Sequence, residues 1–139
     1  MRSINKLVDI YNYVSLKHMV PAGGDDLAGV EGEIALRFAE GDEPFRPLGS
    51  REVHKTKKGE IIYADKREVL CRRWNWRESE KTKMTEQTQD VLLVSEGLPP
   101  VTAEEMKTIA GELAHLVKNY CGGEISFDVM NEDKNERDF

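Results

Sequence analysis

A chain of 139 residues, 39% hydrophobic and 33% charged, has the size of one globular domain with a core of its own, without metal or disulfide staples. Its net charge of −6 excludes a binder that relies on overall phosphate neutralisation, so a nucleic-acid partner would have to meet a local basic surface. Two distant cysteines (Cys71, Cys121), three scattered histidines (His18, His54, His115), no bilayer-length apolar run and no signal-peptide core read as a reduced, cytoplasmic protein without zinc, haem or membrane span.

Taken in order, the chain opens with a helix. Ser3 is a fitting N-cap, and Ile4, Leu7, Val8, Tyr11 and Val14 form an apolar stripe that ends near His18, before Pro21 and Gly23-Gly24. Residues 21–26 read as a turn. Its two glycines would let the backbone approach a ligand, and Asp25-Asp26 is only a weak metal signal. Residues 33–39 alternate as a strand with Ile34, Leu36 and Phe38 inward and Glu33, Ala35 and Arg37 outward. Phe45 and Leu48 are expected to pin a Gly- and Pro-broken loop to the core, and 51–59 reads as a mobile hairpin connection. Residues 60–63 and 69–76 form two antiparallel strands joined at 65–67.

The second of these carries the chain's most informative run, Leu70-Cys71-Arg72-Arg73-Trp74-Asn75-Trp76-Arg77. If it is extended, Arg72, Trp74 and Trp76 share one face, and Arg73, Asn75 and Arg77 the other. Indole rings beside guanidiniums suit a planar ligand, a nucleobase included. The same letters also describe core tryptophans with arginines at the sheet edge. Between Lys66 and Lys83 stand seven basic residues and three acidic ones, which makes this the local basic surface of an acidic chain. Cys71 in this strand reads as a buried, inert thiol.

Ser79, Thr82, Thr85 and Thr88 follow at intervals of three, as helix caps, the mouth of a site or an exposed linker. Residues 91–94 read as a strand buried on both faces, with Glu96 on the same face as Val94. Thr102 and Glu105 form a capping box for a helix with Met106, Ile109, Ala110, Leu113, Val117 and Tyr120 on its apolar stripe, stopped by Gly122. Ile125, Phe127 and Val129 alternate as a last strand, and 131–139 is a charged tail read as disordered. The whole is an α+β fold: one domain over 1–130 of mostly antiparallel strands with about two flanking helices. The chain contains no P-loop, GxGxxG, GxSxG or HExxH pattern.

The run Leu7-Val8-Asp9-Ile10-Tyr11-Asn12-Tyr13-Val14-Ser15, the segments 21–26 and 36–43, and Arg72-Arg73-Trp74-Asn75-Trp76-Arg77 with Thr88 downstream resemble the B3/B4 family. This is the editing module of the beta subunit of phenylalanyl-tRNA synthetase, which also occurs as freestanding proteins. The likeness is closest to the freestanding branch, which usually carries a further N-terminal region, so the chain is read as a short form or a fragment. The resemblance implies a layered β/β/α-like domain, a tRNA or aminoacyl-tRNA partner, no cofactor and no metal. It also implies hydrolysis in trans of a mischarged aminoacyl ester; the alternative is a noncatalytic module that binds tRNA or aminoacyl-adenosine.

Carried onto this chain, the implied catalytic residues are Glu96, Asn12 and Asn75, to orient water or supply donors. Tyr11, Gly23, Gly24, Arg72, Trp74 and Trp76 would contact substrate, and Arg73, Arg77, Lys81 and Lys83 would meet RNA. Tyr11 stands where the synthetase motif has a threonine, and Gly23 where it has a histidine. Counting from Thr88, Val94 rather than Glu96 aligns with the editing glutamate. Residues 72–76 replace its small pocket strand.

Overall fold

The computed structural model describes residues 5–138, so the expected cap Ser3 and the first stripe residue Ile4 lie outside the described residues. Helix α1 spans Lys6–His18, and its cap is Asn5, whose side chain accepts from the Val8 amide at 2.9 Å. Lys17 and His18 occupy its last turn, where cations complement the helix dipole. Helix α2 spans Ala103–Cys121 and carries the capping box in full. Thr102 accepts from the Glu105 amide, while the Glu105 carboxylate accepts from the Thr102 amide at 2.7 Å. Ile109, Leu113 and Val117, one helical turn apart, are its buried residues. Gly122 ends it at φ 78°, a left-handed angle that costs glycine little.

Eight short strands complete the order: β1 (Ala22–Asp26), β2 (Ala35–Phe38), β3 (Pro44–Phe45), β4 (His54–Lys55), β5 (Ile61–Ala64), β6 (Val69–Arg72), β7 (Arg77–Glu78) and β8 (Val91–Ser95). β1 pairs with β8, β3 pairs antiparallel with β4, and the remaining four form an antiparallel sheet in the order β2-β5-β6-β7. The fold is α+β, as its sequence indicates. The chain gathers into two compact units, Gly24–Leu93 and the two flanking segments together.

In the flanking unit α1 meets α2. Lys17 and His18 both reach the Glu112 carboxylate, at 2.7 and 2.8 Å, and hold it ionised below the usual carboxylate range. Residues 124–130 form no strand, which corrects the expected alternation of Ile125, Phe127 and Val129. No partner strand runs beside them among the described residues; instead the Phe127 ring lies against Gly111 of α2. In the tail, the Asn131 amide bonds the Lys134 carbonyl and Lys134 pairs with Asp128.

In the central unit the core is Ala39, Phe45, Ile62, Ala64 and Val69. Phe45 is buried as expected, but Leu48 is half exposed. The register pairs Arg37 with Ile62 and Ala35 with Ala64, and all four residues of β2 are exposed, so the expected inward face is not covered. Leu36 and Phe38, expected inward, are 51% and 70% exposed. The 51–59 connection contains β4 and buries Thr56, whose hydroxyl donates to Glu43. The expected turn at 21–26 is strand β1, and glycine is required within it: a Cβ at Gly24 would lie 2.5 Å from Leu93 Cδ2 and 2.9 Å from the Leu92 carbonyl oxygen. β8 is half-buried along its length rather than buried on both faces, because it belongs to a two-stranded sheet.

Candidate functional site

The Arg- and Trp-rich run does not stay extended. β6 ends at Arg72, residues 73–76 form a turn, and Arg77 begins β7 opposite Arg72. The expectation that Arg72, Trp74 and Trp76 share a strand face is therefore corrected. The reversal needs two successive residues in the left-handed region, Arg73 at φ 52° and Trp74 at φ 68°. For side chains other than glycine this costs on the order of 1–2 kcal/mol each, offset in part by the Trp74 amide donating to the Ile61 carbonyl at 2.7 Å.

The turn sorts its side chains by role. Arg72 is 9% exposed and forms a two-pronged pair with Glu60, Nε to Oε2 at 2.7 Å and Nη2 to Oε1 at 2.6 Å. That pairing holds Glu60 below its ordinary pKa and leaves Arg72 a structural role inside the sheet. Trp74 is partly buried, and Asn75 lies exposed in the turn. Trp76 is 56% exposed, with the Arg73 guanidinium 4.8 Å and the Arg77 guanidinium 5.3 Å from its ring centroid. Both distances are within cation–π range. The turn thus presents an indole plane and two guanidiniums at the surface, the donors that stack on bases and neutralise phosphates.

The other two basic candidates are engaged elsewhere. Lys81 donates to Asp65 at 2.7 Å and to Glu31 at 3.3 Å, with its side chain 12% exposed. Lys83 pairs with Glu80. Asp65, whose side chain is fully buried, also accepts from the amides of Glu31, Arg67 and Glu68. Burial pushes its pKa up, but the Lys81 ammonium and the three amides outweigh it and hold the carboxyl below its ordinary range.

Residues 79–88 are not an exposed linker. Ser79 and Thr82 are buried, and two of the four hydroxyls turn towards β1: Thr82 Oγ1 donates to Asp25 Oδ1 at 2.5 Å and Thr88 Oγ1 to Asp26 Oδ2 at 2.6 Å. The two neighbouring aspartates thereby satisfy hydroxyl donors. Burial raises the Asp25 pKa, the Thr82 bond opposes the rise, and the Asp65 charge adds to it. A raised folded-state value means that stability is full below the unfolded value of 3.8 and falls as pH climbs through the folded one. Asp25→Asn keeps an acceptor for Thr82 without the charge. It is expected to flatten this pH dependence and to gain about 1 kcal/mol at neutral pH, read from urea midpoints across the acid-to-neutral range. Cys71 is buried, and its thiol is pushed far above the ordinary range by burial, with the Glu78 charge adding to the effect. It is an inert core thiol.

In the flanking unit, Tyr11 and Asn12 stand on α1, Gly23 lies in β1, and Glu96 follows β8. The Glu96 amide donates to the Pro21 carbonyl at 3.2 Å, and Ser95 Oγ donates to the same oxygen, which sets Glu96 beside the Pro21 end of β1. Among the described residues no three His, Cys, Asp or Glu side chains gather as a metal site, and no helix is long and apolar enough to cross a membrane. Sequence reading missed Glu60 and Asp65, the partners that fix Arg72 and Lys81. Their signal was a carboxylate one strand or one turn away from a cation, which only the register makes visible.

A paired-strand α+β chain with this turn matches a known class: the B3/4 domain profile covers residues 1–122, and the chain belongs to that family. Its sequence relatives include the phenylalanine–tRNA ligase beta subunits of Aliivibrio fischeri, 34% identical over 67% of this chain and 11% of that protein, and of Colwellia psychrerythraea, 39% identical over 50% and 9%. The chain thus spans about a tenth of the length of the curated relatives it matches. In fold it is similar to an N-terminal fragment of the phenylalanyl-tRNA synthetase beta subunit from Pyrococcus horikoshii, with a TM-score of 0.60 at 19% identity. That match covers 78% of this chain and 39% of the fragment.

Proposed function

We propose that this chain binds the acceptor end of a tRNA or aminoacyl-tRNA in the cytoplasm, with the 73–77 turn as its contact. The observation that carries this reading is the half-exposed Trp76 indole flanked by the Arg73 and Arg77 guanidiniums. An unpaired terminal base would stack on the indole while the arginines meet adjacent phosphates. Because Arg72, Lys81 and Lys83 are engaged with carboxylates, the phosphate contacts are few. Two such contacts give a log–log salt slope of roughly −1.4, and titration of tRNA across ionic strengths reads it. Binding that ignores salt overturns the proposal.

A second reading, hydrolysis of a mischarged aminoacyl ester, draws on the placement of Glu96 beside the Pro21 end of β1. Water adds to the ester carbonyl, the carboxylate takes its proton, and the ribose oxygen leaves with that proton as the acyl C–O bond breaks. Asn12 and the Gly23 amide belong to the same unit and would orient the ester or its oxyanion. Release of amino acid from a panel of mischarged tRNAs, abolished in Glu96→Gln, supports the enzyme. A folded protein that turns over none of them while still binding tRNA leaves the binding module.

A further inference from the structure

Phe38 ends β2 and is 70% exposed. The register sets it directly opposite Ile61, itself 41% exposed, and sets Leu36 opposite Tyr63. Residues paired in this way share a face, so Leu36, Phe38 and Ile61 lie on the side of the sheet away from the buried Ile62 and Ala64. The 73–76 turn is fastened to the same end of the sheet, because the Trp74 amide donates to the Ile61 carbonyl at 2.7 Å. Two strand spacings, about 10 Å, separate β2 from β6, which runs into that turn. Cations rim this end. Lys57 and Lys58 precede β5, where the Gly59 amide bonds the Ala39 carbonyl just beyond Phe38 at 2.8 Å. Both lysines and Arg73 are exposed, and none of the three joins an ion pair among the described residues. Lys58 packs against Gly41, between Glu40 and Asp42 in the chain, so Lys57 and Arg73 carry the charge of the rim.

We propose that this end of the sheet is a second base-stacking platform, on which Phe38 takes an unpaired nucleotide of the RNA strand whose terminal base lies on Trp76. The proposal rests on the tRNA-binding reading above and deepens it, from one unpaired base to a run of several. A base stacks on an exposed ring by its π-face, whatever the sequence, and Leu36 and Ile61 extend the apolar floor around that ring. The cationic rim selects the occupant: a polyanion is drawn to it, and an apolar protein segment is not. The separation between β2 and the turn leaves room for a neighbouring nucleotide of the same strand to cross β5 between the two rings.

The test uses the full chain and two RNA hairpins, one ending in four unpaired 3′ nucleotides and the other in a single one. Phe38→Ala is expected to weaken binding of the first about tenfold and to leave the second unchanged, since only the longer tail reaches β2. Phe38→Leu, which keeps an apolar side chain without a ring, is expected to lose as much, and Phe38→Tyr to bind as the wild type does. Thermal unfolding should stay near that of the wild type throughout, because the residue is exposed. If Phe38→Ala holds the longer tail as tightly as the wild type, the proposal is overturned and the face belongs to a protein partner. Should Trp76→Ala still weaken that binding, the turn stands without the platform; a wild type that binds neither hairpin overturns both readings. Full binding by Phe38→Leu also overturns the proposal, because the contact is then apolar packing and not stacking.

Discussion

Replacing Asp65 by alanine is expected to lower the stability of the protein by about 4 kcal/mol, read as a loss of the urea midpoint at constant slope. The carboxylate is fully buried and satisfies the Lys81 ammonium and three backbone amides at the 65–68 turn. Removing it strands the three amides and leaves the nearly buried Lys81 ammonium only its longer 3.3 Å contact with Glu31. Asp65→Asn keeps the shape and loses the charge, so it should fall between the two. Because the folded-state pKa lies below the unfolded value of 3.8, this stabilisation is present above that pH and disappears as acid takes the folded group through its own pKa. Glu43, held by Thr56, Arg37 and the amides of Glu40 and Gly41, acts in the same direction. The protein is therefore expected to be sensitive to acid, except that Asp25 pulls the other way.

The second large effect concerns binding. Trp76→Ala/Arg77→Ala is expected to weaken tRNA binding about 100-fold at low salt, the loss of one stacked base and one phosphate contact. Its thermal unfolding should be nearly that of the wild type, because the indole is more than half exposed. Arg72→Ala is expected to behave in the opposite way. It leaves Glu60 buried without its partner and destabilises the sheet by about 3 kcal/mol, so its effect on binding follows its effect on folding. Measured side by side, the two variants separate recognition from architecture within six residues of sequence.

The helices and their ends were legible because each is written locally. Thr102 and Glu105, four residues inside one turn, specify α2 without reference to the rest of the chain. β5 and β6 were legible because apolar residues cluster beside a clear turn. β2 was not, since alternation names two faces but not whether either one is covered, and all four of its residues stay exposed. The turn at 73–76 was hidden for a related reason. Trp74 and Trp76 carry strand-forming side chains, and only Asn75 between them signals a reversal. Arg72 and Lys81 looked available because their partners, Glu60 and Asp65, are 12 and 16 residues away in the chain.

Strands β1 and β8 have a consequence for how this family could be built. The chain passes into the central unit at Gly24 and leaves it at Leu93, and the two lie so close that a Cβ at Gly24 would come 2.5 Å from Leu93 Cδ2. Entry and exit share one doorway. A segment whose two ends meet in this way is a cassette: it can be lengthened, shortened or exchanged while the outer segments keep the same splice points. Variation in what the domain recognises can then accumulate between residues 24 and 93, with the two helices outside it unchanged in sequence.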